Sequence, residues 1–222
     1  YVKNLETGEL LPDAITNSYY SLEWANDSKT LFYDVLDENH RPVKVFKHRL
    51  GDDPSTDEMV YQEMDERFFV GVMKSSSNRF IFVAASGNNM SEWRFIEADN
   101  SGSELTLIET RREGFEYDVE HHGDRFLIRH NGGDAKDFQV SETQITTPAA
   151  ENWEDLIPHA LGHPIGGITV TRDHLILSSR DDGLPQIRVI EHATGNSFDI
   201  PFDEEDYFVG VMEGREWETS TL

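Results

Sequence analysis

The chain of 222 residues has no cysteine. Disulfide scaffolds, cysteine-ligated zinc and thiol nucleophiles are therefore excluded. The same absence points to a reducing compartment, the cytoplasm. The periplasm stays open, because Tyr1 is not an initiator methionine and the chain starts in mid-pattern, as a fragment of something longer would. No apolar run approaches the roughly 18 residues of a membrane span, and the first residues carry no signal-peptide pattern. Positive charge is scarce: 19 basic against 43 acidic side chains give a formal net charge of −24. Such a balance repels nucleic acid and anionic membranes, so neither is expected as a partner, and it attracts cationic ligands. Several catalytic signatures are missing too. There is no G-x-S-x-G elbow, and no H-E-x-x-H, P-loop or G-x-G-x-x-G.

Helical periodicity is also nearly absent. What is present is a series of short β-prone runs punctuated by Gly, Asn, Asp and Pro, among them "KTLFYDVLD", "RFIFVAASG", "RFLIRHN" and "QIRVIEHATGN". Each has the length of an ordinary strand. A pattern of strand, polar turn and strongly apolar strand recurs in "SYYSLEWANDSKTLFYDV", "RFFVGVMKSSSNRFIFVA", "GFEYDVEHHGDRFLIRHN" and "GGITVTRDHLILSSRD". Their turn residues Asp27, Asn78, Asp124 and Asp173 lie 51, 46 and 49 positions apart. Each pair is followed by two further strands. Four strands per unit of this length is the signature of a propeller blade. The fold class expected is all-β, an arc of a β-propeller with about four complete four-stranded antiparallel blades and partial blades at both ends. The expected boundaries are 1–18 for the end of a preceding blade, then 19–65, 66–112, 113–163 and 164–204, with a further blade starting over 205–222. The pentapeptide FVGVM occurs at 69–73 and again at 208–212, and each copy is expected to be the first strand of its blade. Gly71 and Gly210 then mark crowding near the axis.

No catalytic residue, cofactor site or metal site is expected. Glu120, His121, His122 and His130 are the nearest approach to a metal set, but His121 and His122 point to opposite faces of a strand. His159 and His163 are four apart, but Gly162 and Pro164 spoil a helical pair. The loop from Asp99 to Glu104 lacks EF-hand spacing. The acidic runs "GDDPSTDE" (51–58) and "DEED" (203–206) read as solvated loops that keep strand edges from pairing. Trp24, Trp93 and Trp153 read as packing residues. The candidates for a substrate tunnel or an interdomain contact are Glu116, Asp118 and Glu120. They alternate in "FEYDVEH" and share one strand face, opposite Phe115, Tyr117 and Val119. Arg129 on the next strand is their expected ion-pair partner.

The run "WANDSKTLFYDVLDENHRPVKVFKHRLGDDPSTDEMVYQEMDERFFVGV" resembles the N-terminal propeller of the oligopeptidase B (protease II) group in the prolyl oligopeptidase family of serine peptidases. The resemblance continues, in order, through "EYDVEHHGDRFLIRHN", "NWEDLIPH", "GLPQIRV" and "IPFDEEDYFVGV". It implies a seven-bladed propeller capping an α/β-hydrolase domain of the same parent chain, which holds a Ser-Asp-His triad and cleaves oligopeptides after Lys or Arg. It also implies a lid that keeps folded proteins out. No triad member lies in this chain, which is therefore expected to be inactive alone. Cationic oligopeptides are the expected substrates, and the anionic surface would concentrate them. Two other readings fit the residues: a stand-alone propeller serving as an interaction scaffold, and a propeller glycosidase with its own carboxylate pair.

Overall fold

The computed structural model describes residues 1–211, 216–219 and 221. It contains four four-stranded antiparallel sheets, each in simple sequential order. The first holds β1 (Ser18–Trp24), β2 (Thr30–Leu36), β3 (Pro42–Arg49) and β4 (Glu58–Gln62). The second holds β5 (Phe69–Lys74), β6 (Phe80–Ser86), β7 (Ser91–Glu97) and β8 (Thr106–Glu109). The third holds β9 (Tyr117–His122), β10 (Arg125–His130), β11 (Gln139–Gln144) and β12 (Glu154–Ile157). The fourth holds β13 (Ile165–Val170), β14 (His174–Asp181), β15 (Leu184–Glu191) and β16 (Ser197–Asp199). The helical elements among the described residues are two single 3-10 turns, Pro54–Thr56 and Ala150–Asn152.

Local chemistry explains the hairpins. In the β1–β2 turn the Asp27 carboxylate accepts the backbone N–H groups of Lys29 and Thr30, both at 2.8 Å, and the Thr30 hydroxyl at 2.7 Å. This is an Asx turn, in which the side chain mimics a backbone acceptor and fixes the reversal. Ser28 beside it has φ 56° and Asn78 in the β5–β6 turn has φ 60°. Both sit in the left-handed region, which a small polar residue tolerates better than a branched one.

The second strand is the most apolar in the first three sheets, for a packing reason. In β6, Phe80 to Ala85 are buried without alternation, because the strand is covered on both faces as well as paired on both edges. Phe80 stacks edge-on against Phe95 and Phe82 meets Trp93 edge-on, with ring centres 5.4 and 5.7 Å apart. Each such fully buried aromatic stabilises the fold by about 2–3 kcal/mol through removal of apolar surface from water.

The described chain forms two compact units. One comprises Tyr1–Lys74, Asn78–Asn88 and Glu92–Leu107. Its apolar core includes Phe32, Val45, Val70, Val72 and Phe80. The other comprises Ser75–Ser77, Asn89–Ser91 and Ile108–Leu222. Its core joins Leu127 and Val140 of the third sheet to Ile165, Ile168, Val170, Leu175 and Leu177 of the fourth, with Ile157 and Trp217 packed against them.

At the ends of the chain the described residues are less regular than in the four sheets. At the start, the expected pair of strands reduces to an isolated bridge between Lys3 and Leu10, closed over Gly8 at φ +74°. At the end, Phe208–Val211 forms no strand, since none of the described residues supplies a ladder. Met212 lies outside the described residues. The side-chain alternation of the pentapeptide survives nonetheless. Val70 and Val72 are buried in the first copy, and Val209 and Val211 pack against Ile176, Ile187 and Val189 of the fourth sheet in the second. Crowding does not explain the two glycines. A Cβ on Gly71 would meet the Ser21 hydroxyl only at 4.0 Å, and among the described residues one on Gly210 would meet nothing within 4 Å.

Candidate functional site

Strand β9 presents the alternation expected of it. Tyr117, Val119 and His121 are buried while Asp118, Glu120 and His122 are partly exposed. Glu116 immediately precedes the strand, and its backbone is held at both ends by Asn131. The Glu116 N–H donates to Asn131 Oδ1 at 2.8 Å, and the Asn131 N–H donates to the Glu116 carbonyl at 3.1 Å.

The register sets Asp118 opposite Arg129 on β10. Arg129 Nη1 donates to Asp118 Oδ2 at 2.5 Å, and its Nε donates to the carbonyl of Ile165 at 2.7 Å. The guanidinium also lies over the Phe138 ring, 3.8 Å from its centre. Arg129 therefore ties three strands together, and its charge is committed to structure. A flat guanidinium suits this combined stacking and fork-like donation, where a lysine would not. Glu120 turns the other way along the strand: its Oε2 accepts the Ser76 N–H at 3.3 Å and the His121 N–H at 3.2 Å. The Glu116 carboxylate has no hydrogen-bond or ion-pair partner among the described residues. Of the three carboxylates it is the one open to an incoming cation.

The histidines diverge as strand geometry requires. His121 is buried and bonded to the Ser77 hydroxyl at 2.7 Å and the Gly123 carbonyl at 2.9 Å. His122 donates from Nε2 to the Arg172 carbonyl at 2.9 Å and stacks on His192 with ring centres 3.6 Å apart. His159 and His163 face different carboxylates, Asp137 at 3.8 Å and Asp181 at 3.3 Å. Among the described residues no group of three His, Asp or Glu side chains is arranged to hold a metal ion.

One trio has the composition of a hydrolase triad. His130 Nε2 lies 2.8 Å from Ser141 Oγ, which lies 3.2 Å from Asp155 Oδ1. The order is wrong for nucleophilic attack. The Gly132 N–H points at His130 Nδ1 from 3.1 Å, so the ring proton sits on Nε2 and is donated to Ser141. The serine hydroxyl in turn donates to Asp155. A nucleophilic serine must give its proton to the imidazole; here it receives one. Ser141 is also buried, at 1% exposure. Burial holds His130 at a pKa of about 4, against the opposing pull of Asp155, so the ring is neutral. An aromatic wall of Phe115, Tyr117 and Trp153 encloses it, with Trp153 4.9 Å away.

Sequence reasoning missed a second buried ring. His48 on β3 is fully buried, with Asp57 Oδ1 2.7 Å from Nδ1 and Asp13 Oδ1 2.9 Å from Nε2. Asp57 belongs to the acidic run 51–58 expected to be solvated, yet its side chain is only 3% exposed. The run "DEED" at 203–206 is exposed along its whole length. The difference is that Asp57 finds donors, His48 and the Tyr33 hydroxyl at 2.8 Å. A buried carboxylate persists only where such donors replace water.

The whole chain, residues 1–222, matches the family model described as the prolyl oligopeptidase N-terminal beta-propeller domain. It is 35% identical to Protease 2 of Moraxella lacunata over 100% of its own length and 32% of that protein. It is 33% identical to Dipeptidyl aminopeptidase BI of Pseudoxanthomonas mexicana, covering 99% of this chain and 30% of that one. The chain thus spans about a third of the length of the curated relatives it matches. Among solved structures, Oligopeptidase B from Leishmania major superposes with a TM-score of 0.91 at 22% identity, over 98% of this chain and 32% of that one. Oligopeptidase B from Trypanosoma brucei, closed form with covalently bound antipain, gives 0.82 at 25% identity, over 88% and 29%. The four antiparallel sheets are those of a β-propeller, and the chain belongs to the prolyl oligopeptidase family of peptidases as an N-terminal β-propeller domain.

Proposed function

We propose that this chain is the non-catalytic lid of a serine oligopeptidase that cuts oligopeptides after Lys or Arg. Its four sheets are consecutive blades of one arc, bounded near residues 18, 65, 112, 163 and 204. Its partner is an α/β-hydrolase domain of the same parent chain, in the cytoplasm. The observation that carries this reading is the match of the propeller-domain model to residues 1–222, in relatives about three times as long. The inverted order of His130, Ser141 and Asp155 supports a lid without chemistry of its own. The preference for basic peptides rests on the net charge of −24 and on the open carboxylate of Glu116. An anionic rim raises the local concentration of cationic substrates and speeds their capture, and salt screens that effect.

The test uses the full-length enzyme and an Arg-containing peptide. kcat/KM falls as ionic strength rises, and Glu116→Gln lowers it at low salt while leaving the high-salt value unchanged. A flat salt response sinks the steering part of the reading. The isolated 222-residue chain hydrolyses neither Arg nor Lys esters; turnover blocked by a serine-reactive inhibitor would overturn the assignment of a non-catalytic lid.

A further inference from the structure

His48 is flanked on both ring nitrogens by carboxylate oxygens, Asp57 Oδ1 at 2.7 Å and Asp13 Oδ1 at 2.9 Å, with no exposure to solvent. A neutral imidazole has one N–H. It could satisfy one of these acceptors and would turn a lone pair toward the other. The imidazolium satisfies both and is the form the geometry accommodates. Each carboxylate also accepts from a second donor. The Gly51 N–H reaches Asp13 Oδ1 at 2.5 Å, and the Tyr33 hydroxyl reaches Asp57 Oδ2 at 2.8 Å.

Asp13 has a second distinction. It closes segment 1–13, which folds back on itself over the bridge between Lys3 and Leu10. The segment's other hydrogen bonds are internal, such as Asn4 to Glu9 and Leu11 to Val2. Among the described residues, every hydrogen bond from this segment to the first sheet and its loops passes through the Asp13 carboxylate, to His48 and Gly51. We propose that protonated His48 is a latch that ties segment 1–13 to the first sheet through Asp13, and that loss of the ring proton releases this tie while leaving the sheet folded.

The surrounding groups fit a proton-operated device. Asp13 faces the ring from the N-terminal segment and Asp57 from the turn before β4, with Tyr33 of β2 acting through Asp57. Lys47 and Arg49 flank His48 on β3, and Lys47 is neutralised by Glu58 at 2.9 Å. A cavity of about 300 Å³ lined by His48, Asp57, Thr30, Lys47, Asp52 and Ser101 lies beside the ring. Burial opposes the charge on His48, but the hydrogen bonds from its ring to Asp13 and Asp57 outweigh it and raise its pKa. The Gly51 N–H and His48 hold Asp13 below the usual carboxylate range. The latch is therefore fully closed below the ordinary histidine range and opens as pH rises through the raised value. It also opens in acid, as pH falls through the depressed value of Asp13.

Hydrogen exchange read by mass spectrometry on the full-length protein tests this, with protection factors corrected for intrinsic exchange. Protection of the peptide covering residues 1–12 falls as pH rises from about 6.5 to the raised His48 value, by up to about tenfold per pH unit, and levels off above it. Protection of β6 stays constant over the same range. Asp13→Ala lowers protection of 1–12, makes it independent of pH and leaves β6 unchanged. Histidine C2-proton exchange, resolved by residue, reports His48 as still protonated at pH 7. A pH-independent 1–12 peptide, or a neutral His48 at pH 7, overturns the proposal whether or not the variant folds.

Discussion

His48 and His130 occupy comparable positions. Each lies on an interior strand of a four-stranded sheet, and neither exceeds 6% exposure. Desolvation acts on both in the same direction, against the charged ring. His130 meets a backbone N–H on one nitrogen and a serine hydroxyl on the other, so it is neutral, with a pKa of about 4. His48 meets a carboxylate on each nitrogen, and its pKa is raised. Burial therefore does not decide the charge of a histidine. The number of anionic acceptors placed against its ring does.

The largest effect that would break this contrast comes from removing one acceptor. Asp57→Ala leaves the imidazolium half-paired in the interior and is expected to cost about 3–5 kcal/mol in urea denaturation at pH 7. A loss below about 1 kcal/mol would mean that His48 carries no charge. Next comes the acid limb at His130. Its folded pKa lies below the ordinary histidine value, so the stabilisation it gives is present above about pH 6.5 and is lost as pH falls toward 4. The full loss is on the order of 3 kcal/mol. The difference between wild type and His130→Gln in chemical denaturation isolates it, and parallel curves from pH 7 to 4 would remove His130 from the account. His48 has the opposite sign over its own range.

The smallest effect sharpens the comparison by moving one ring without touching its partners. A Cβ on Gly132 would come within 3.0 Å of both His130 Nδ1 and Phe115 Cε2. Gly132→Ala is expected to cost about 1–3 kcal/mol by overpacking and to bring the His130 pKa back toward its ordinary value. Histidine exchange measured in the same sample as His48 reads this directly. A shift at His48 instead would show that the two rings are not independent.

Legibility from the sequence followed the range of the interaction. Alternation along β9 separated Glu116, Asp118 and Glu120 from Phe115, Tyr117 and Val119, because side chains on a strand alternate whatever surrounds them. The Asp118–Arg129 pair was accessible for the same reason, since a two-residue hairpin turn sets its register. The uses of Glu120 and Arg129 were not. They depend on the Ser76 N–H and the Ile165 carbonyl, 44 and 36 positions away. Gly71 and Gly210 were misread because a mid-strand glycine does not disclose how much room stands in front of it.

The sequence by itself determined the all-β class, the four-strand period and the hairpin turns. These rest on two-residue periodicity and on side chains such as Asp27 bonding to backbone two and three residues away. Tertiary structure decided which acids are solvated and which are locked. Asp13, His48 and Asp57 sit 35 and 9 positions apart, and no local pattern marks them as partners. Only folding removes the water between them, and in that low-dielectric interior each ionised group requires an opposite charge or a donor at hydrogen-bond distance.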